Sequence, residues 1–158
     1  MRETRWIDRY MMIPYRDGGR DRRGADCFGL VALVIAEEAG AVLRELGAAW
    51  SDGLAAIAER VRAEIASGDY LRIGGPELIV SPLVEKLDLV QMRCVHAGGA
   101  SAELHIGIAT GAGTVLHTEQ LTGPVHLPLD DMRVRGRVVG FWRLRALSRA
   151  TAAAEARA

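Results

Sequence analysis

Three side chains far apart in the sequence have the types needed for acyl transfer: one thiol and two imidazoles. Cys27 lies in Asp26-Cys27-Phe28-Gly29-Leu30, directly ahead of the apolar run Val31 to Ala36. An Asp before such a run accepts hydrogen bonds from the free N–H groups of a first helical turn. That turn carries partial positive charge, which favours thiolate, the form of cysteine that attacks carbonyl carbon. His105 and His117 stand on either side of Gly111-Ala112-Gly113. If that segment is the turn of a hairpin, the two rings lie at one height on adjacent strands and can touch. One ring then serves as general base. The other holds it by accepting its Nδ1–H, which completes a nucleophile, a base and an orienting group.

Each of these residues has an ordinary structural alternative. Free cysteine is commonly a small buried hydrophobe, and a histidine on a strand is commonly a satisfied polar residue. His96, beside Ala97-Gly98-Gly99, and His126, after Gly123-Pro124, are expected at the surface. A zinc site of Cys27, Cys94, His105 and His117 is chemically permitted. It lacks the short Cys-x-x-Cys or His-x-x-x-His pairs of such sites, so no metal is expected.

The elements that must position these groups follow from the pattern. A short helix is expected over residues 3–12, and a loop over Ile13 to Arg23. A buried helix runs from Cys27 to Glu38 and stops at Gly40. A second, amphipathic helix covers Leu54 to Ala66, capped by Ser51 or Asp52, with Leu54, Ile57, Ala58, Val61 and Ile65 on one face. Strands are expected over Leu87–Met92, Glu103–Thr110, Thr114–Thr118, Val125–Leu129 and Val138–Leu144. Helices first and strands afterwards predict an α+β fold, with helices on one face of an antiparallel sheet. At 158 residues one domain is expected, spanning 1–145, with a helical insert over 43–82 and an Ala/Arg-rich tail over 146–158.

Composition narrows the partners. Basic and acidic residues balance at 20 each, so nucleic acid is not an expected partner. All but one of the basic residues are arginine, and the two clusters among them, Arg16 to Arg23 and Arg133 to Arg149, are read as solvated surface. Two cysteines without regular spacing do not make a disulfide framework. No stretch approaches the roughly 18 apolar residues of a membrane span, and the N-terminal residues lack the apolar core of a secretory signal.

Asp26-Cys27-Phe28-Gly29-Leu30, then His105-Ile106-Gly107-Ile108, then His117 twelve positions after His105, resembles the NlpC/P60 papain-like cysteine peptidases. That family shows D-C-x-G-[LF], H-V-G-I and a third polar residue at that spacing. Tyr15, twelve positions before Cys27, also matches, and Asp88-Leu89-Val90 resembles the family's G-D-[LV]-V with Leu87 in place of Gly. The Ile13-Pro14-Tyr15 segment and the loop after it are similar to the small peptidases of phage tails and gene transfer agents.

The resemblance implies a Cys-His-His peptidase without a cofactor, in which Cys27, His105 and His117 are catalytic and Tyr15 and Asp26 face the substrate or oxyanion. The implied substrate is a peptidoglycan stem peptide cut near its D-glutamyl–diamino-acid bond. The implied partners are phage-like tail or baseplate proteins, and the implied place of action is the cell wall, reached on a virion or phage-like particle. A tail-tip component that keeps the fold with little activity is the alternative. Lipid acyltransferases of related fold place His before Cys; here Cys comes first. Phe28 stands where many members carry Ser.

Overall fold

The molecule, described by a computed structural model, is defined for residues 4–47, 50–95, 101–148, 153, 156 and 157. Helix α1 (Thr4–Asp8) leads through turns into a small hairpin, β1 (Arg20–Asp21) and β2 (Gly24–Ala25). Helix α2 (Cys27–Ala39) follows, and then α3 (Leu54–Ala66). Six strands complete the fold: β3 (Tyr70–Gly74), β4 (Leu89–Val95), β5 (Ser101–Ala109), β6 (Thr114–Glu119), β7 (Gly123–Pro128) and β8 (Val138–Leu144). They form one antiparallel sheet in the order β3-β8-β4-β5-β6-β7. The α+β class and the antiparallel sheet are as the sequence pattern predicts.

Helix α2 is the hub. Its Leu30, Val31, Val34 and Ile35 are fully buried, and each such side chain contributes about 1.5–3 kcal/mol of apolar burial. They pack with Trp6, Ile7 and Tyr10 before the helix, and with Leu89, Ile108, Leu116 and Leu144 of the sheet. Gly40, with φ 64°, ends the helix in the left-handed region, which only glycine enters without steric cost. The opposite face of the sheet is covered as well. Val90, Met92, Ala109, Val115 and Phe141 meet Leu129, Val134 and the 73–84 segment there. The expected single helix-covered face is therefore one of two cores, the second closed by loops and a 3₁₀ turn at Pro76–Leu78.

Several local expectations change. The first helix ends at Asp8 and continues only as turns to Met12. Helix α3 has the expected ends, but its N-cap is Gly53 and no side chain caps it. Only Ile57 of its apolar face is buried, while Leu54 and Ile65 are exposed. The 43–82 segment is not wholly helical: β3 pairs with β8 at the sheet edge. Leu87, at the glycine position of the resembled motif, has φ 73°, a conformation that suits glycine. The next residue, Asp88, is buried and accepts hydrogen bonds from Arg143 Nε at 2.7 Å and Nη2 at 2.8 Å. This ties the start of β4 to β8. The turn expected after Val95 and most of the 146–158 tail lie outside the described residues.

Gly29 fixes how the 16–26 loop meets the helix. A Cβ there would stand 2.0 Å from the carbonyl oxygen of Gly19, which is backbone and cannot swing away. Gly29→Ala is expected to destabilise the fold by about 3 kcal/mol, the upper range for overpacking. Urea denaturation checks this, and an unchanged midpoint contradicts the close approach.

Candidate active site

The thiol end of the site is built by Asp26. Its Oδ1 accepts the Gly29 N–H at 2.8 Å as a helix N-cap, and Arg20 Nη1 donates to the same oxygen at 2.8 Å. Oδ2 accepts the Gly18 N–H at 3.0 Å. The carboxylate is 4% exposed and fully partnered. The structure thus gives Asp26 the work of fixing loop and helix, and Asp26 also lines the cavity that Cys27 borders.

Cys27 follows as the first helical residue and is 8% exposed. Its thiol is pushed up to about 12. Burial is the main cause and the Asp26 charge adds to it, against hydrogen bonds from the backbone N–H groups of Ile106 and Phe28. The expected helix-terminus activation is present in the Phe28 N–H, but desolvation outweighs it. The resting group is a thiol.

The imidazoles meet. His105 Nε2 lies 3.0 Å from His117 Nδ1, with the rings edge to face at 85°, and both residues are buried, at 5% and 2% exposure. Their relative height differs from the expected one. The β5–β6 register pairs Ile108 with Leu116 and Ala109 with Val115, so its continuation sets His117 opposite Gly107, and His105 opposite Glu119. The rings touch diagonally because Gly107 has no side chain. A Cβ there would meet Val115 Cγ2 at 2.8 Å and His117 Cβ at 3.1 Å. The ring atom facing His117 is Nε2, not the expected Nδ1, so Nδ1 of His105 is the ring nitrogen turned away from His117.

Glu119 is the functional residue that sequence reasoning missed. Its Oε1 lies 3.3 Å from His117 Nδ1 and 3.6 Å from His105 Nε2, and Arg137 Nη1 holds it at 2.6 Å. Burial would raise its carboxyl; His117, His105 and Arg137 outweigh burial and hold it at about 2. His105 is held at about 3, chiefly by burial, with Glu119 acting the other way. The alternation His117-Thr118-Glu119 on one strand was the available signal, since residues two apart share a face.

Cys27 and His105 line one cavity, together with Ile106 between them. The backbone N–H of Ile106, one residue from His105, donates to the thiol. Tyr15, bridged to Ala25, is half-buried, and its phenol is raised by burial and then by Cys27, Asp17, Asp26 and Glu119. It thus lies within electrostatic reach of both the thiol and the imidazole cluster.

The metal-capable group among the described residues is His105, His117 and Glu119. It contains neither cysteine: Cys94 lies on β4 opposite Ala102. The four-residue zinc set considered from the sequence is not what the fold assembles. In the three-residue group, Arg137 already supplies a cation to Glu119. His126, expected at the surface, is half-buried on β7, 2.7 Å from Thr114 Oγ1. His96 lies outside the described residues.

No protein-family model matches the chain, and no curated protein matches it. Among solved structures it is similar to the crystal structure of the NlpC/p60 domain of the peptidoglycan hydrolase SagA. That likeness has 18% identity and a TM-score of 0.47, over 89% of this chain and 93% of that one. No helix among the described residues is long and apolar enough to cross a membrane.

The buried charges set an acid limit. In the unfolded chain His105 protonates near pH 6.5, but in the fold only near 3. Between these values the unfolded state holds the extra proton, so stability is lost as pH falls through that window. Glu119, shifted from 4.5 to about 2, acts in the same direction at lower pH. The melting temperature is expected to drop steadily from pH 6.5 to pH 4, and His105→Asn to flatten that slope. A melting temperature that rises toward pH 4 contradicts the neutral buried ring.

Proposed function

We infer that the chain is a cysteine hydrolase of the NlpC/P60 type, cutting amide bonds in the stem peptide of peptidoglycan through a thioester on Cys27. The observation that carries this is the buried His105–His117 contact beside a cavity that Cys27 also lines. With Nε2–H of His105 donated to His117 Nδ1, Nδ1 of His105 has a free lone pair for the thiol proton.

Because the thiol and ring are both neutral at rest, proton transfer and attack go together. Sγ bonds to the carbonyl carbon as its proton passes to His105 Nδ1. The imidazolium is stabilised by Glu119, 3.6 Å from Nε2, and Arg137 keeps that carboxylate in place. His105 then gives the proton to the leaving amine as the C–N bond breaks. Water, deprotonated by the same ring, hydrolyses the thioester and restores the thiol. The Cys27 backbone N–H is the oxyanion donor this scheme needs, worth roughly 3 kcal/mol of barrier.

Delivery on a phage-like tail or baseplate, and action at the cell wall, rest on the resemblance of the Ile13-Pro14-Tyr15 and Asp26–Leu30 segments to tail peptidases. The buried, raised thiol favours a second reading: a tail-tip component that keeps the fold with little activity.

Zymography on purified sacculi separates the two. Clearing is expected from the natural protein, none from Cys27→Ala, and a loss of about 10²-fold or more from His105→Ala, the usual contribution of a general base. Equal clearing by the natural protein and Cys27→Ala removes the hydrolase; no clearing by either leaves the structural reading.

A further inference from the structure

The cavity beside Cys27 has walls that the hydrolase reading does not explain. Phe28, Leu46, Ile57, Val61, Leu104 and Trp142 give it an almost wholly apolar lining. Helix α3 supplies Ile57 and Val61, so the segment that lies between the thiol helix and the sheet is itself one wall. The volume is about 110 Å³, small beside the roughly 300–1,000 Å³ of pockets that enclose drug-sized ligands. It has room for one side chain or a short chain, not for a lipid.

Its charge is as selective as its size. Among the described residues, the carboxylates along it are Asp26 and Glu64, and neither lysine nor arginine lines it. Asp26 is already bound to Arg20. Glu64 accepts from Tyr70 Oη at 3.3 Å and lies 3.8 Å from Arg44. A carboxylate entering here would lose its water and meet two acids whose own cations, Arg20 and Arg44, stand outside the described lining. A second concavity, bounded by Ile79, Val84, Gly111 and Pro128, reaches neither Cys27 nor the histidine pair.

During a thioester mechanism the acyl portion stays bonded to Sγ, so the space that Cys27 lines must house it. We propose that this cavity is the specificity pocket for the acyl side of the scissile bond, and that it takes one uncharged aliphatic group. The inference rests on the cysteine-hydrolase reading and narrows it: the carbonyl attacked belongs to a residue with a short apolar side chain, rather than to a glutamyl residue with a free carboxylate.

Alkylation of Cys27 in the intact protein reads the pocket without amide cleavage. The thiol adds across the double bond of a maleimide, its proton goes to the ring carbon, and no co-reactant is needed. N-hexylmaleimide and 6-maleimidohexanoic acid, of equal chain length, are compared by peptide mass spectrometry, with N-acetylcysteine as reference. The hexyl reagent is expected to label Cys27 at least about tenfold faster than the acid after that correction, the discrimination an apolar pocket gives. Val61→Glu, on the half-exposed wall helix, is expected to bring the ratio back to the reference. A ratio within about twofold of the reference in the natural protein overturns the proposal.

Should Cys27 resist both reagents, the indole N–H resonance of Trp142 reads the same space at equilibrium. Hexanamide is expected to shift it and adipic acid monoamide to leave it; a shift by neither or by both overturns the pocket. Clearing of sacculi without this preference removes the pocket and keeps the hydrolase, whereas the preference without clearing does the reverse.

Discussion

The closeness of β5 and β6 at Gly107 is the constraint on which the site depends. Two imidazoles can meet diagonally across a strand pair only if nothing fills the position between them, and glycine is the one residue that leaves it empty. The neighbours that crowd this position, Val115, Met92 and His117, belong to the second core or to the site itself. The packing that holds the sheet together also sets the ring-to-ring distance. A similar economy holds at the thiol, where Gly29 lets the 16–26 loop sit against the first turn of α2 and brings Asp26, Arg20 and Gly18 into one cap.

Burial decides the charge state of the resting site. A helix N-terminus and two N–H donors favour thiolate at Cys27, yet desolvation and the neighbouring Asp26 outweigh them. His105 stays neutral for the same reason. In a dry site a charged pair forms only when something else stabilises it. In the proposed reaction Glu119, held by Arg137, does so once His105 takes a proton, which ties the appearance of charge to the arrival of a carbonyl. The buried Nε2 of His117, which has no partner among the described residues, is a cost accepted within this arrangement.

Much of the fold was legible because its long elements carry strong patterns. The apolar run after Cys27 with Gly40 behind it, the two-faced Leu54–Ala66 helix and the Gly-punctuated hairpin all led to elements within a few residues of those observed. Residues that act through tertiary contact were not legible. Glu119 needs the register of β5 against β6, which the Gly111–Gly113 turn sets with Thr110 opposite Thr114; setting the two imidazoles at one height misread that register by two residues. Strand β3 is short, lies at a sheet edge and ends at Gly74-Gly75-Pro76, so it read as connector. The raised thiol was hidden as well, because a helix start announces itself in sequence and the depth of its burial does not. Asp26 read as a cap and as a substrate contact at once; its three donors establish the first.

The claim that organises the site is that His105 keeps Nδ1 bare and carries its proton on Nε2, shared with His117. Two-bond ¹H–¹⁵N correlation spectra of the free protein at pH 7 observe this directly. The account predicts one His105 nitrogen with the shift of an unprotonated imidazole nitrogen, assigned to Nδ1, and a protonated Nε2. A protonated Nδ1 would contradict it, since the ring could then take nothing from the Cys27 thiol.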